Sequence, residues 1–415
     1  MRAGTTWKGN SATTPSEASS AREPLLQLGN ETLTTPAVTG QPRIASLDWV
    51  RGWMLIASVA VNSLWAVPEW FGHAQWAATH PEDVIFPIFV TLSGCGLAFA
   101  MQRTVRVMPL LRRVIILLLA GLLYNAIVLN SWTLENWRFT GVLQLYAAVV
   151  IALGVLHVLT RSWVGWAAIT AALAAAQTLV LALYASGCPG HLLTHACNPS
   201  GPLDMAVFGA HHIYGLGIPG HDPEGLVAVL GALVSASAGA TIGHLLSLRA
   251  HTGQTTGKGA RAAVFPVVTL AAALLIVAEL AVIVPEWIWG VDIPMMKRLW
   301  TPPFALRIAA ATSLALLAGH LLLDRRTVGA PLRMLSFPLL SLGRNSLLVY
   351  FGSHVLTSQL NRPLASGSTI STKAEDLITA LPGFPNPQVT WTALILLFWI
   401  SLACVLHRFK IYLRP

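Results

Sequence analysis

Ten stretches of about twenty mostly apolar residues dominate this chain, near positions 47–67, 83–102, 111–129, 140–160, 163–184, 225–247, 263–285, 304–323, 338–360 and 389–407. A helix rises about 1.5 Å per residue, so some twenty helical residues cross a hydrocarbon core about 30 Å thick. Helices satisfy their backbone hydrogen bonds internally, whereas barrel strands would show as shorter alternating segments, and none is visible. The expected fold is all-α: a polytopic integral membrane helical bundle of about ten transmembrane helices over residues 43–415. Only 10% of the residues are charged, against roughly a quarter in an average soluble domain.

Lys and Arg collect on the cytoplasmic side of a membrane protein. With the N-terminus placed inside, nineteen of the 26 basic residues fall on inner segments and five on outer ones, while Arg307 and Arg344 sit within or at the edge of helices. Both termini are therefore expected in the cytoplasm, with the chain multi-pass in the cell membrane. The net charge of +9 reflects that orientation and gives no reason to expect nucleic acid as a partner. Residues 1–42 are rich in Ser, Thr, Ala and Pro without apolar periodicity, which predicts a disordered cytoplasmic tail. The first long apolar run, near position 52, is longer than the core of a signal peptide.

Cys95 and Cys404 fall inside predicted helices, where thiols pack as small hydrophobes. Cys188 and Cys197 share the outer connection between the fifth and sixth helices; an oxidising exterior would suit a disulfide there, and two free thiols are the alternative.

Just past the first helix, Asn62, His73 and Asp83 bring an amide, an imidazole and a carboxylate to one membrane interface, where unneeded polar groups are costly. Pro68 cannot continue a helix interior, so His73 belongs to a loop. Histidine titrates near neutral pH and can serve as a base. Each residue also has a plainer use: a solvated loop histidine, a helix-pairing amide, and an N-terminal helix cap for Asp83.

A second outer segment holds Asp204, His211, His212, Tyr214, His221, Asp222 and Glu224, a density of donors and acceptors suited to a carbohydrate. The spacing fits no zinc signature, and no metal is expected. On the inner side, Arg112 and Arg113 open the third helix, and Arg344 with Asn345 opens the segment that carries Tyr350 and His354. These guanidinium groups are topology anchors or a seat for an anionic cofactor. The run 253–259 approaches a phosphate loop but is one residue short and lacks the closing Ser or Thr.

Taken together, the blocks Ser46-Leu47-Asp48-Trp49-Val50-Arg51-Gly52, Val61-Asn62, His73-Ala74-Gln75-Trp76, Asp83 to Phe89, Gly141 to Gln144, Asp204, His212-Ile213-Tyr214, Asp222 to Gly225, Leu299-Trp300-Thr301 and Gly343 to Tyr350 resemble the transmembrane acyltransferase family of heparan-α-glucosaminide N-acetyltransferase and its bacterial relatives. The resemblance implies that residues 43–415 form a transmembrane acyltransferase domain. It makes His73 catalytic with Asn62 assisting, and acetyl-CoA the donor on the cytoplasmic side. Asp83, Gln144, Asp204, His212, Asp222 and Glu224 become candidates for holding the acceptor, and Arg112, Arg113, Arg344 and Asn345 for holding acyl-CoA. Leu145 stands where relatives often have Arg, and Met296 where Asn is expected before Lys297.

The expected function is acyl transfer to a sugar amine or hydroxyl of an envelope glycan or glycolipid. The expected partners are the lipid bilayer, acyl-CoA and that acceptor, and a homodimer stays open. The alternative is a transporter or flippase for a lipid-linked or acidic small molecule, which would need a polar stripe running through the bundle.

Overall fold

The computed structural model describes residues 44–255, 259–324, 328–365, 367–381 and 386–413, with helix positions alone for 250–255. The expected tail 1–42 and part of the run 253–259 lie outside them.

The described residues are helical throughout their ordered elements, with no strand among them. Thirteen α-helices follow in order: α1 Ala45–Asn62, α2 Ile85–Ala100, α3 Val107–Val128, α4 Val142–Leu159, α5 Trp163–Ser186, α6 Ser200–Phe208, α7 Leu226–Thr255, α8 Val264–Trp289, α9 Pro302–Leu323, α10 Ala330–Arg344, α11 Ser346–Leu360, α12 Ile370–Ala380 and α13 Pro387–Arg408. Among the described residues, eight segments are long and apolar enough to cross a membrane: Pro81–Ala100, Val107–Val128, Val142–Leu159, Trp163–Ser186, Leu226–Arg249, Gly259–Trp289, Pro302–Leu323 and Pro387–Arg408.

The other two expected spans differ from these. The helix α1 is 18 residues long and carries Asp48, Arg51 and Asn62, polar groups that the structure uses. The expected continuous span 338–360 is broken: α10 ends at Arg344, and α11 starts at Ser346. At Asn345 the backbone leaves the helical region, with φ −109° and ψ 28°. The break lies beside the place where Arg344 meets Asp48 of α1 at 3.6 Å, and apolar content alone did not reveal it.

The bundle has two polar ends, joined by a core. Val59 and Val61 of α1 pack with Ile85 and Phe89 of α2 at the Asn62 end, while Ser46 meets Asp324 after α9 at the Asp48 end. Between them α2 lies along α7 at very short range. A Cβ at Gly94 would strike the backbone of Ala236, and one at Gly239 the backbone of Thr91. Glycine at both points is what lets the two helices approach so closely. Trp300, Phe304 and Phe86 fill the core beside this contact, with Phe86 edge-on to Trp300 at 5.1 Å. The 1.5 Å rise places Asn62 about 21 Å from Asp48 along α1.

Candidate active site

The connection from α1 to α2 is folded back on itself before the chain re-enters the bundle. Phe71 and Gly72 both donate their backbone N–H to the Pro68 carbonyl, closing a tight turn, and Glu82 donates to the Phe71 carbonyl. Asp83, buried at the start of α2, ties the loop: Oδ2 accepts from the backbone N–H of Ala74 at 3.1 Å and of His80 at 3.0 Å. It thus closes a reciprocal capping box on the short 3-10 turn Pro81–Val84, whose N-cap is His80, and is not the N-terminal cap of α2, which has no side-chain cap. Its other oxygen, Oδ1, accepts from Nδ1 of His73 at 2.8 Å. The cap and the histidine's partner are one carboxylate.

Two neighbouring loops brace this segment. Trp76 donates its indole N–H to the Leu193 carbonyl at 2.8 Å, inside the loop closed by a disulfide between Cys188 and Cys197. Arg298 donates to the Ala74 carbonyl through Nε at 3.2 Å and Nη2 at 3.1 Å. The bridge settles the alternative left open at those two cysteines.

His73 stands between two acids. With its Nδ1–H on Asp83, its Nε2 lies 3.1 Å from Oε1 of Glu82. Two lone pairs do not approach that closely, so a proton sits between them, on one partner or the other. Lys297 lies near, its Nζ 3.1 Å from Nδ1 and 3.3 Å from Nε2 of the ring, and 3.6 Å from Oδ1 of Asp83. Burial lowers the pKa of this ammonium, Arg298 adds to the lowering, and Asp83, Glu224 and Glu82 oppose it.

Asn62, which lines a cavity with His73, closes the last turn of α1. Its amide nitrogen donates to Nε2 of His354 at 2.8 Å and to Oγ of Ser58 at 3.3 Å. Both amide hydrogens are thereby engaged, and the amide oxygen has no hydrogen-bond partner among the described residues. The cavity holds about 600 Å³ of empty space, part of it open to solvent, and Asn62, His73, Glu82, Glu224, Lys297 and His354 supply its polar lining. Tyr124 and Tyr350 wall its apolar side.

The remaining acceptor candidates occupy different places. Glu224 reaches the cavity, held by Nη2 of Arg138 at 2.6 Å. Asp222 is buried behind it, accepting from Arg138 at 3.0 Å, from Tyr214 N–H at 2.8 Å and from Glu224 N–H at 2.9 Å. Burial would lower the Arg138 pKa, but the charges of Glu224 and Asp222 raise it overall. Asp204 is fully buried and caps α7 by accepting from Leu226 N–H at 2.8 Å. Burial pushes its carboxyl up to about 6, although Leu226 and Ser200 hydrogen bonds pull the other way. His212 donates Nδ1–H to the Trp137 carbonyl at 2.7 Å and stacks on Phe139 at 4.1 Å. Gln144 lies between α3 and α4 against Gly121 and Gly141, away from the cavity lining. Of this group the structure brings only Asp83 and Glu224 to His73; Asp222 and Asp204 support the wall.

The cofactor candidates gather only in part at the Asp48 end. Arg344 is 3.6 Å from Asp48, donates to Nε2 of His407 at 2.8 Å and reaches the Tyr412 hydroxyl at 3.3 Å. Arg51 is 3.7 Å from Asp48. The buried Nε of Arg113 has no hydrogen-bond partner, whereas Arg112 is exposed. Asn345 is buried and donates to the Ser341 carbonyl at 3.3 Å, leaving its oxygen without a hydrogen bond.

Fold and site define a polytopic all-helical membrane protein with an imidazole–carboxylate pair in a cavity at one end and arginines at the other. Residues 43–198 match the family described as heparan-alpha-glucosaminide N-acetyltransferase, catalytic. The chain is 23% identical to heparan-alpha-glucosaminide N-acetyltransferase of Mus musculus and 24% identical to that of Homo sapiens, over 89% of its own length. It spans 60% of the length of these curated relatives. The matches bear out the family resemblance read from the sequence.

The structure brings to His73 two groups not singled out from the sequence, Glu82 and Lys297, and it pairs His354, expected with Arg344 on the inner side, with Asn62 at the cavity. Glu82 was legible as the residue before Asp83. Lys297 and His354 lie 224 and 292 residues from the partners they meet, and no local pattern announces such pairings.

Proposed function

We propose that this chain is a membrane acyltransferase that takes an acetyl or related acyl group from acyl-CoA and delivers it to a sugar amine or hydroxyl of an envelope glycan or glycolipid. The observation that carries the reading is the His73–Asp83 pair opening into a cavity whose far wall is Asn62. Asp83 fixes the Nδ1–H tautomer, which leaves Nε2 to accept a proton once Glu82 no longer shares one with it. The acceptor nitrogen or oxygen attacks the thioester carbonyl, the carbon–sulfur bond breaks, the CoA thiolate leaves, and the acceptor's proton passes to His73.

The family resemblance makes Asn62 the residue that assists His73. With its amide hydrogens on Ser58 and His354, its oxygen is the group free to accept a hydrogen bond from the attacking amine or hydroxyl. The distribution of basic residues supports a cytoplasmic Asp48 end and an outer Asn62 end. On that placement Arg344 and Arg113 seat donor phosphates, with Arg112 at the exposed margin. The donor's arm then spans the roughly 21 Å from Asp48 to Asn62.

The test is release of CoA thiol by the purified protein with acetyl-CoA and a panel of amino sugars and envelope glycans. Turnover that disappears in folded His73→Ala protein supports the reading. Full activity of that variant removes His73 from the chemistry, and no turnover with any acceptor favours the transporter alternative. Rapid-quench labelling with radioactive acetyl-CoA alone separates direct transfer from an acyl-histidine intermediate, because only the latter labels the protein.

A further inference from the structure

The chemistry above leaves Lys297 without a part, yet it is the cation nearest the proposed base. It projects from the connection between α8 and α9, and Arg298 beside it clamps that connection to Ala74, one residue from His73. The ammonium is 3.1 Å from one ring nitrogen and 3.3 Å from the other. A donor in line with either lone pair would lie much farther from the opposite nitrogen, so the near-equal distances place Nζ over the ring face. From there it acts on the ring through its charge.

That charge opposes a strong bias. Asp83 at Nδ1 and Glu82 at Nε2 both favour an imidazolium, and an imidazolium cannot take a proton. The other ionisable groups facing the cavity supply no cation at the ring. Glu224 is paired with Arg138, Tyr124 and Tyr350 are neutral phenols, and His354 accepts from Asn62 through Nε2 and so lacks a proton there.

We infer that Lys297 is a positioning residue for His73: its ammonium over the ring face holds the imidazole in the neutral, proton-accepting form against the pull of Glu82 and Asp83. The consequence for turnover rests on the acyltransferase reading, while the effect on the ring does not.

The test reads the ring directly. Full-length protein in detergent is treated with diethylpyrocarbonate, which modifies neutral imidazole, and modification of the His73 peptide is followed by mass spectrometry across pH. Lys297→Met and Lys297→Gln should each raise the His73 midpoint by about one unit or more, since a like charge beside the ring is removed. Lys297→Arg, which keeps the charge, should hold the wild-type midpoint. Where acyl transfer is measurable, its acidic limb should move with the midpoint. An unmoved midpoint in both uncharged variants, or an equal shift in Lys297→Arg, overturns the inference. A shifted midpoint without acyl transfer at any pH keeps the inference and sinks the acyltransferase reading; acyl transfer with an unmoved midpoint does the reverse.

Discussion

Asp83→Asn isolates the contact that sets the tautomer of His73, the proposed base. The carboxylate does two jobs with separate oxygens: Oδ2 accepts from Ala74 and His80 N–H, and Oδ1 accepts from His73 Nδ1. Asparagine has the same shape, and its single oxygen can keep both backbone bonds if it takes the Oδ2 position. The amide NH₂ then faces the imidazole. It can only donate, so Nδ1 must become the acceptor and the ring proton moves to Nε2. In that tautomer the nitrogen facing the cavity no longer accepts a proton. In serine proteases the equivalent loss of tautomer costs about 10⁴ in turnover, or roughly 5 kcal/mol of barrier. Stability should change little, because the buried backbone donors keep their acceptor. By contrast, Asp83→Ala orphans two of them, at about 1–3 kcal/mol each. The assay is thiol release from acetyl-CoA with a competent acceptor, beside a thermal melt of both variants. Near-wild-type turnover in Asp83→Asn, with His73→Ala inactive, would refute the reasoning by showing that something else sets the tautomer.

Arg344→Ala should raise the KM for acyl-CoA more than that for the acceptor, since it removes charge-assisted contacts to the donor alone; initial-rate kinetics against each substrate would show an acceptor-only effect if Arg344 serves elsewhere. Replacing Cys188 and Cys197 by serine should cost about 2–3 kcal/mol in the loop-entropy model and loosen the Leu193 carbonyl that holds Trp76, read as faster hydrogen exchange at His73; unchanged exchange would separate the bridge from the site. The raised Asp204 pKa gives a pH dependence of definite sign. Its protonated form is favoured in the folded state, so the protein should lose stability as pH rises from about 4 through about 6, by up to roughly 3 kcal/mol. Melts of Asp204→Asn should lack that decline, and parallel curves for the two proteins would refute the assignment.

The elements most legible in the sequence were those set by local physics. Apolar length gave most of the helices, and a proline-interrupted loop followed by an Asp before an apolar run put His73 and Asp83 at one interface, ten residues apart, while their pairing emerged only in the structure. What escaped was set by distant partners. Arg344, beside the break at Asn345, meets Asp48 nearly three hundred residues earlier in the chain. The use of Asn62's amide hydrogens follows from His354, and the charge over the imidazole from Lys297. The outer segment read as a dense acceptor surface proved divided in its work: Asp204 caps a helix and Asp222 holds Arg138, while Glu224 alone faces the cavity. Composition could count those acids but could not say which faced inward.

The distant pairings also connect the polar groups at the two ends of the bundle. Helix α1 carries Asp48 at one end and Asn62 at the other, and the chain around α11 supplies Arg344 and His354 to meet them. The two contacts tie α1 to the end of α10 and to α11, about 21 Å apart along α1. A slide of α1 by a single turn, about 5.4 Å, would break both, separating Asp48 from Arg344 and Asn62 from His354. Register at the proposed donor end is thus set together with register at the proposed acceptor end. Tyr124 of α3 and Val142 of α4 also line the cavity, and α3 is tied in turn to the end of α11 and the residues after it, where Ser358 donates to the Val128 carbonyl at 3.5 Å and Arg362 to the Ile127 carbonyl.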